Sequence, residues 1–192
     1  MRPLYERYPT SVAINGHDYP IETDFRPWIR FSDLLEEQEK SSTEKAIAIL
    51  SYYKGETPPL EEGIIGALAF YAREDQETVR KRLFEDDSDH PAPKPEPPAF
   101  SFSFDAEVIA VGFWQAYRID LEEIEYLHWH KFFNMLQYLP SDTEFQQRIH
   151  FRTYDLSGVT DAKERSRILK IQRKIAIPSA MPTAEDIGNI FW

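Results

Sequence analysis

Residues 104–140 read FDAEVIAVGFWQAYRIDLEEIEYLHWHKFFNMLQYLP. Apolar residues recur at helical spacing along this stretch. Asp105 stands where an N-cap would, Asp120 with Glu123 makes a second box-like start, and Pro140 ends the run. The pattern predicts two short amphipathic helices, 106–117 and 121–139, joined by a tight turn. The inward set of the second is Leu121, Ile124, Leu127, Phe132 or Phe133, Leu136 and Leu139. The aromatic set from Phe100 to Tyr138 is larger than two short helices can bury on one side. Most of it should be core, and the surplus should form an exposed patch of the kind that marks a partner site. Ranked by helical position, the expected partner-facing aromatics are Trp114, Tyr117, Trp129 and Phe132.

Upstream, Val12 and Ile14 alternate, Asn15-Gly16 is a favoured hairpin turn, and Tyr19 and Ile21 alternate again. A lone hairpin is marginal, so this one must pack on helices. Thr23 or Asp24 caps a helix to about Glu37, with Pro27 in its first turn and Trp28, Phe31 and Leu34 on its apolar face. Ser41 with Glu44 is a capping box that opens a helix with Ile47, Leu50 and Tyr53 inward, and Gly55 stops it. A third helix runs from Leu60 to Ala72, where Gly63 and Gly66 permit close packing. Downstream, Ser141 with Glu144 caps a helix containing Phe145 and Ile149. Asp161 with Glu164 caps another to about Ala176, and Thr183 opens a last short one.

Between these groups lies EDDSDHPAPKPEPP, Glu85 to Pro98, acidic and proline-rich without apolar periodicity. Such a segment reads as a linker. The expected architecture is mainly α: two small helical lobes with an N-terminal β-hairpin. They would comprise 1–84, an acidic linker 85–99, and an aromatic-rich lobe 100–192.

The chain has 192 residues and a formal net charge of −11. Residues 1–99 carry 12 basic and 20 acidic side chains, and 100–192 carry 10 and 13. This acidity argues against broad nucleic-acid binding. There is no cysteine, which excludes thiolate metal sites and cysteine nucleophiles. No apolar run approaches the ~20 residues of a membrane span, and the N-terminus lacks a signal-peptide core. A cytoplasmic protein without membrane contact is expected.

Candidate chemical sites are thin. His128 and His130, two apart on a helix, would point about 200° apart and could not grip one ion. Glu122, Glu123 and Glu125 suit a helix start better than acid–base work. The glycines match no phosphate or dinucleotide loop. No catalytic, cofactor or metal residue is therefore expected, and no enzyme. One basic segment stands apart: in KERSRILKIQRK, Lys163, Arg167, Lys170 and Lys174 share a helical face. That face reads as solvated or intramolecular, as a dock for an acidic protein, or as a nucleic-acid contact without stacking aromatics.

Several motifs together resemble a family of Gram-positive phage and prophage tail proteins, the gene-product-fifteen family. They are ING-x-x-YPI-x-TDFR-x-W at Ile14 to Trp28, FDAE at Phe104 to Glu107, FWQAY-x-IDL at Phe113 to Leu121, EYLHW-x-K at Glu125 to Lys131, and FRTYDL at Phe151 to Leu156. The family usually has a second tryptophan where this chain has His130 and a glycine where it has Arg118. The resemblance implies a role in tail morphogenesis: a tail-assembly chaperone that coats the tape measure protein before the tube polymerises around it. It implies action in the host-cell cytoplasm and absence from the finished particle. A companion chaperone or the tail tube protein are further partners it suggests, and self-association stays open. The alternatives are a structural tail or head–tail component retained in the virion, and a nucleic-acid-binding regulator using 163–174. On the chaperone reading, Lys131 and the 163–174 face steer acidic stretches of the partner.

Overall fold

The structure, a computed structural model, describes residues 6–37, 39–84 and 98–178. The expected linker, apart from Pro98 and Ala99, and the helix expected after Thr183 lie outside the described residues. Among the described residues there are eight α-helices and one two-stranded antiparallel sheet, a mainly α fold. They fall into two compact units. The first joins 6–84 to Glu123–Tyr138, and the second joins 98–122 to 139–178. This grouping differs from the expected split, because 123–138 belongs with the N-terminal residues.

In the first unit, β1 (Ser11–Ile14) and β2 (His17–Pro20) pair with Val12 opposite Tyr19 and Ile14 opposite His17. Asn15 and Gly16 both take positive φ, 51° and 80°, as a tight two-residue hairpin turn requires. Helix α1 (Phe25–Glu36) is capped by the Asp24 carboxylate, which accepts from the Arg26 N–H. Helix α2 (Ser42–Leu50) has the full Ser41–Glu44 box. Its buried residue is Ile49, while Ile47, expected inward, faces water. Helix α3 (Leu60–Ala72) lies against the hairpin and α2. A Cβ on Gly66 would sit 2.6 Å from the Tyr53 hydroxyl and 2.8 Å from Val12 Cγ1, so that position admits no side chain without a shift. Helix α4 (Gln76–Phe84), which the sequence reading left unassigned, starts over Asp75 and buries Val79 against Ile65 and Ala69.

The helix expected over 121–139 is half as long. Helix α6 covers only Trp129–Gln137. The residues before it run extended beside the start of α1. The Phe25 N–H donates to Leu127 O at 3.0 Å, the Trp129 N–H donates to Thr23 O at 2.7 Å, and the Leu127 N–H donates to the Asp24 carboxylate at 3.2 Å. Backbone groups that a helix would have paired internally are thereby satisfied by the neighbouring chain. His128 then caps α6, its Nδ1 accepting from the His130 N–H at 3.1 Å. Trp129 stacks on Tyr71 at 5.3 Å and 9°, and Phe132 stacks on Phe25 at 4.6 Å and 19°. Trp28 sits between Phe70 and Tyr52 in the same cluster.

In the second unit, α5 (Ala106–Tyr117) packs on α7 (Glu144–Arg152), which packs on α8 (Ala162–Ile175). Helix α7 is capped by Thr143, two residues later than expected from Ser141. The Thr143 N–H and hydroxyl both donate to Pro140 O, which fixes the turn there. The cap of α8 is Asp161, as expected. Gly112 lets Leu139 approach α5, with Leu139 Cδ1 3.1 Å from where a Cβ would stand.

Candidate partner-binding surface

Asp105 precedes α5, but its side chain does not cap the helix. It is wholly buried and turned toward α7 instead. Arg152 Nη1 and Nη2 donate to its two carboxylate oxygens at 2.6 and 2.8 Å, Arg148 adds a contact at 3.3 Å, and the Ser101 N–H donates at 3.1 Å. The same Arg152 donates to Ala99 O at 3.2 Å and Ile175 O at 2.7 Å, so one guanidinium holds three segments. Burial raises the Asp105 carboxyl pKa, but the hydrogen bonds and charge of Arg152 with the Ser101 N–H outweigh it. The net position is below the ordinary carboxylate value.

The expected partner-facing residues separate sharply. Trp129 and Phe132 are each 0% exposed and belong to the core of the first unit, so they cannot meet a partner. The correction follows from the extended segment before α6, which turns these rings toward Trp28 and Phe25 instead of outward. Lys131, on the same helix, is exposed. In the second unit Tyr117 is half-buried, with its ring edge-on to Phe113 at 5.6 Å, and burial raises its hydroxyl pKa. Trp114 alone of the four is truly exposed, at 51%, and Val111, one turn before it, is exposed to the same degree.

Val111 and Trp114 lie opposite the buried residues of α5, Ile109, Gly112 and Phe113. Glu107 extends the same stripe at its N-terminal end and is exposed. Helical position alone singles out Trp114 but not Val111, although the spacing 107, 111, 114 was there to be read. On α8, Lys163, Arg167, Lys170 and Lys174 are all exposed along one face, while Ile168 is buried. Arg167 pairs with Glu164 at 2.9 Å.

His128 and His130 do come close, with ring centroids 5.2 Å apart, but each Nε2 is engaged by a carbonyl: Pro9 O at 2.9 Å and Phe70 O at 2.8 Å. Because His128 Nδ1 accepts and its Nε2 faces a carbonyl, that ring is the neutral Nε2–H tautomer. No group of three or more His, Asp or Glu side chains stands ready to hold a metal among the described residues. None of their helices is long and apolar enough to cross a membrane.

The described residues thus make a mainly helical, two-unit protein with an outward apolar stripe on one helix and a basic face on another. The chain belongs to the family described as Bacteriophage Gp15 protein, whose model matches residues 4–177. No curated protein and no solved structure matches it.

The motifs that carried the resemblance meet in pairs. TDFR at Thr23–Arg26 runs beside LHW at Leu127–Trp129 through the backbone bonds described above. FDAE and FRTYDL are joined by Asp105 and Arg152. These motifs hold the fold, and FWQAY is the one whose tryptophan is exposed, beside exposed rings at Phe104, Tyr126 and Tyr154 in the others.

Proposed function

We propose that the protein is a non-enzymatic tail-assembly chaperone that binds the tape measure protein through the Val111–Trp114 stripe of α5. The observation that carries this reading is the contrast among the motif tryptophans. Trp28 and Trp129 are core, while Trp114 lies half in water beside Val111 in a chain of a phage family. Exposed apolar stripes of this kind accept an amphipathic helix, each Å² of apolar surface removed from water contributing ~25 cal/mol. Two residues give modest affinity per copy. Many copies could then coat a long tape measure and still be displaced as the tube grows. The exposed face at Lys163, Arg167, Lys170 and Lys174, with Lys131, attracts acidic stretches of that partner and speeds encounter at low salt.

The test is co-expression with the tape measure protein of the same tail gene cluster. Wild-type protein should keep it soluble and co-purify with it. Trp114→Ala should remain folded by circular dichroism and lose at least tenfold in recovered complex. Wild-type levels of complex with Trp114→Ala would reject the surface. No association of the wild-type protein would reject the chaperone reading. Recovery of the protein from finished particles by mass spectrometry would favour a structural tail component.

A further inference from the structure

Arg73 closes α3 in the left-handed conformation, φ 60°, and its side chain lies over α6. The guanidinium stands 4.2 Å from the centre of the Phe133 ring, donates to Asn134 Oδ1 and approaches Gln137 Oε1 at 3.4 Å. A ring and two neutral amides therefore fix its position, and no carboxylate pairs with it among the described residues. The adjacent acid, Glu74, is taken by Arg82. Arg26, Arg80, Arg148 and Arg152, the other half-buried arginines among the described residues, each pair with an aspartate or a glutamate. Burial lowers the Arg73 pKa from its ordinary value, and Tyr138 and Tyr8 only partly offset it. In a chain of net charge −11, this one half-buried guanidinium is left without a counter-charge.

Arg73 lines an open cleft of about 440 Å³ within the first unit, beside Ser11, Val12, Phe70, His130 and Asn134. That volume lies within the roughly 300–1,000 Å³ of small-ligand sites. The Ser11 hydroxyl makes no hydrogen bond among the described residues, so the wall carries a second donor. We propose that this cleft binds a carboxylate, which pairs with the Arg73 guanidinium beside the Ser11 hydroxyl while its apolar stem lies against Val12 and Phe70. A phosphate dianion fits less well, because it brings two charges to a single guanidinium with the Glu74 carboxylate on the same cleft. The carboxylate belongs either to a free organic acid or to an acidic side chain of a protein partner, and the group recognised is the same. The inference stands on the first unit alone and not on the chaperone reading.

The experiment is a titration of the full chain, labelled with nitrogen-15, followed by backbone and arginine Nε–H signals at neutral pH. The probes are phenylacetate and a capped short peptide with one glutamate among alanines. Phenylacetamide, of the same shape without the charge, and inorganic phosphate are the controls. Phenylacetate or the peptide should give saturable shifts centred on Arg73, Ser11 and Asn134, with a dissociation constant on the order of 1 mM for so small a ligand. The two controls should bind at least tenfold more weakly. Saturation by phenylacetate alone assigns the site to a free acid, and saturation by the peptide alone assigns it to a partner's acidic side chain; either supports the proposal. Arg73→Gln should abolish the shifts, and Arg73→Lys, which keeps the charge without the planar fork, should weaken binding several-fold. The comparison with phenylacetamide uses the wild-type protein alone, so it decides the matter even where Arg73→Gln disturbs the end of α3. Absence of saturable shifts with both probes overturns the proposal. So does equal binding of phenylacetamide or phosphate, or binding undiminished in a folded Arg73→Gln.

Discussion

Asp105 and Arg118 show how differently two charged residues answer to their sites. Asp105 is wholly buried and acts as the anchor for Arg152 and Arg148. Removing one partner of a buried pair strands the other, so Asp105→Asn should cost roughly 3 kcal/mol of stability at neutral pH. The pH dependence follows from the sign. The folded-state pKa lies below the ordinary value, so this stability is fully present above about pH 4 and is lost as pH falls through the depressed folded value. Urea unfolding between pH 7 and pH 2.5 should show the wild-type and Asp105→Asn curves converging in acid, and a constant gap would show that the carboxylate is not the source. Arg118 closes α5 in the left-handed conformation, φ 56°, where a residue without a Cβ is unstrained. His130 is held by its Nε2, which donates to Phe70 O, with its ring 4.5 Å from the Phe70 ring. The left-handed cap at Arg118 and the bond from His130 to Phe70 could be understood only with the backbone in view.

At the scale of elements, caps and glycines were legible because they act within a few residues. The Ser41–Glu44 box, the Asn15-Gly16 turn and the Asp161 start all stand where the sequence places them. Gly66 was read as permitting close packing, and it does so against Tyr53 and Val12. Gly66→Ala should therefore destabilise the first unit by about 1–2 kcal/mol, since overpacking outweighs the better helix propensity of alanine. Guanidinium unfolding would show it, and a neutral or stabilising change would mean that the Tyr53 hydroxyl moves aside freely. The false element was the helix over 121–128. Its apolar spacing and Asp120 cap fit a helix, but Asp120 accepts from the Glu122 N–H in a turn, and the chain goes on to pair with residues a hundred positions earlier. Local propensity has no means of registering such a partner. The Asp105 cap failed for the same reason, because Arg152 outbids the helix N-terminus for the carboxylate.

For the whole molecule, the consequence is that neither unit is one continuous segment. The proline-rich stretch looked like the natural boundary because composition changes there, yet α6, encoded beyond it, supplies the first unit with Trp129, Phe132 and Leu136, each almost wholly buried. At about 1.5–3 kcal/mol for each large apolar side chain taken from water, these three contribute on the order of 6 kcal/mol. That is comparable to the entire stability of a small domain, about 5–15 kcal/mol. The fragment 1–98 keeps the hairpin, α1 to α4 and every capping signal but lacks these rings, leaving the faces of Trp28, Phe25 and Tyr71 that they cover open to water. It should therefore show no cooperative thermal transition by circular dichroism, and its only tryptophan, Trp28, should emit as a solvent-exposed indole. The full chain should melt cooperatively with that tryptophan buried. A synthetic peptide covering 123–138, added in excess, should restore part of the lost signal, because it carries the missing surface and the strand-like residues that pair with Thr23 and Phe25. A fragment 1–98 that folds cooperatively alone would show instead that the N-terminal residues are a domain in their own right and that α6 is an accessory to it.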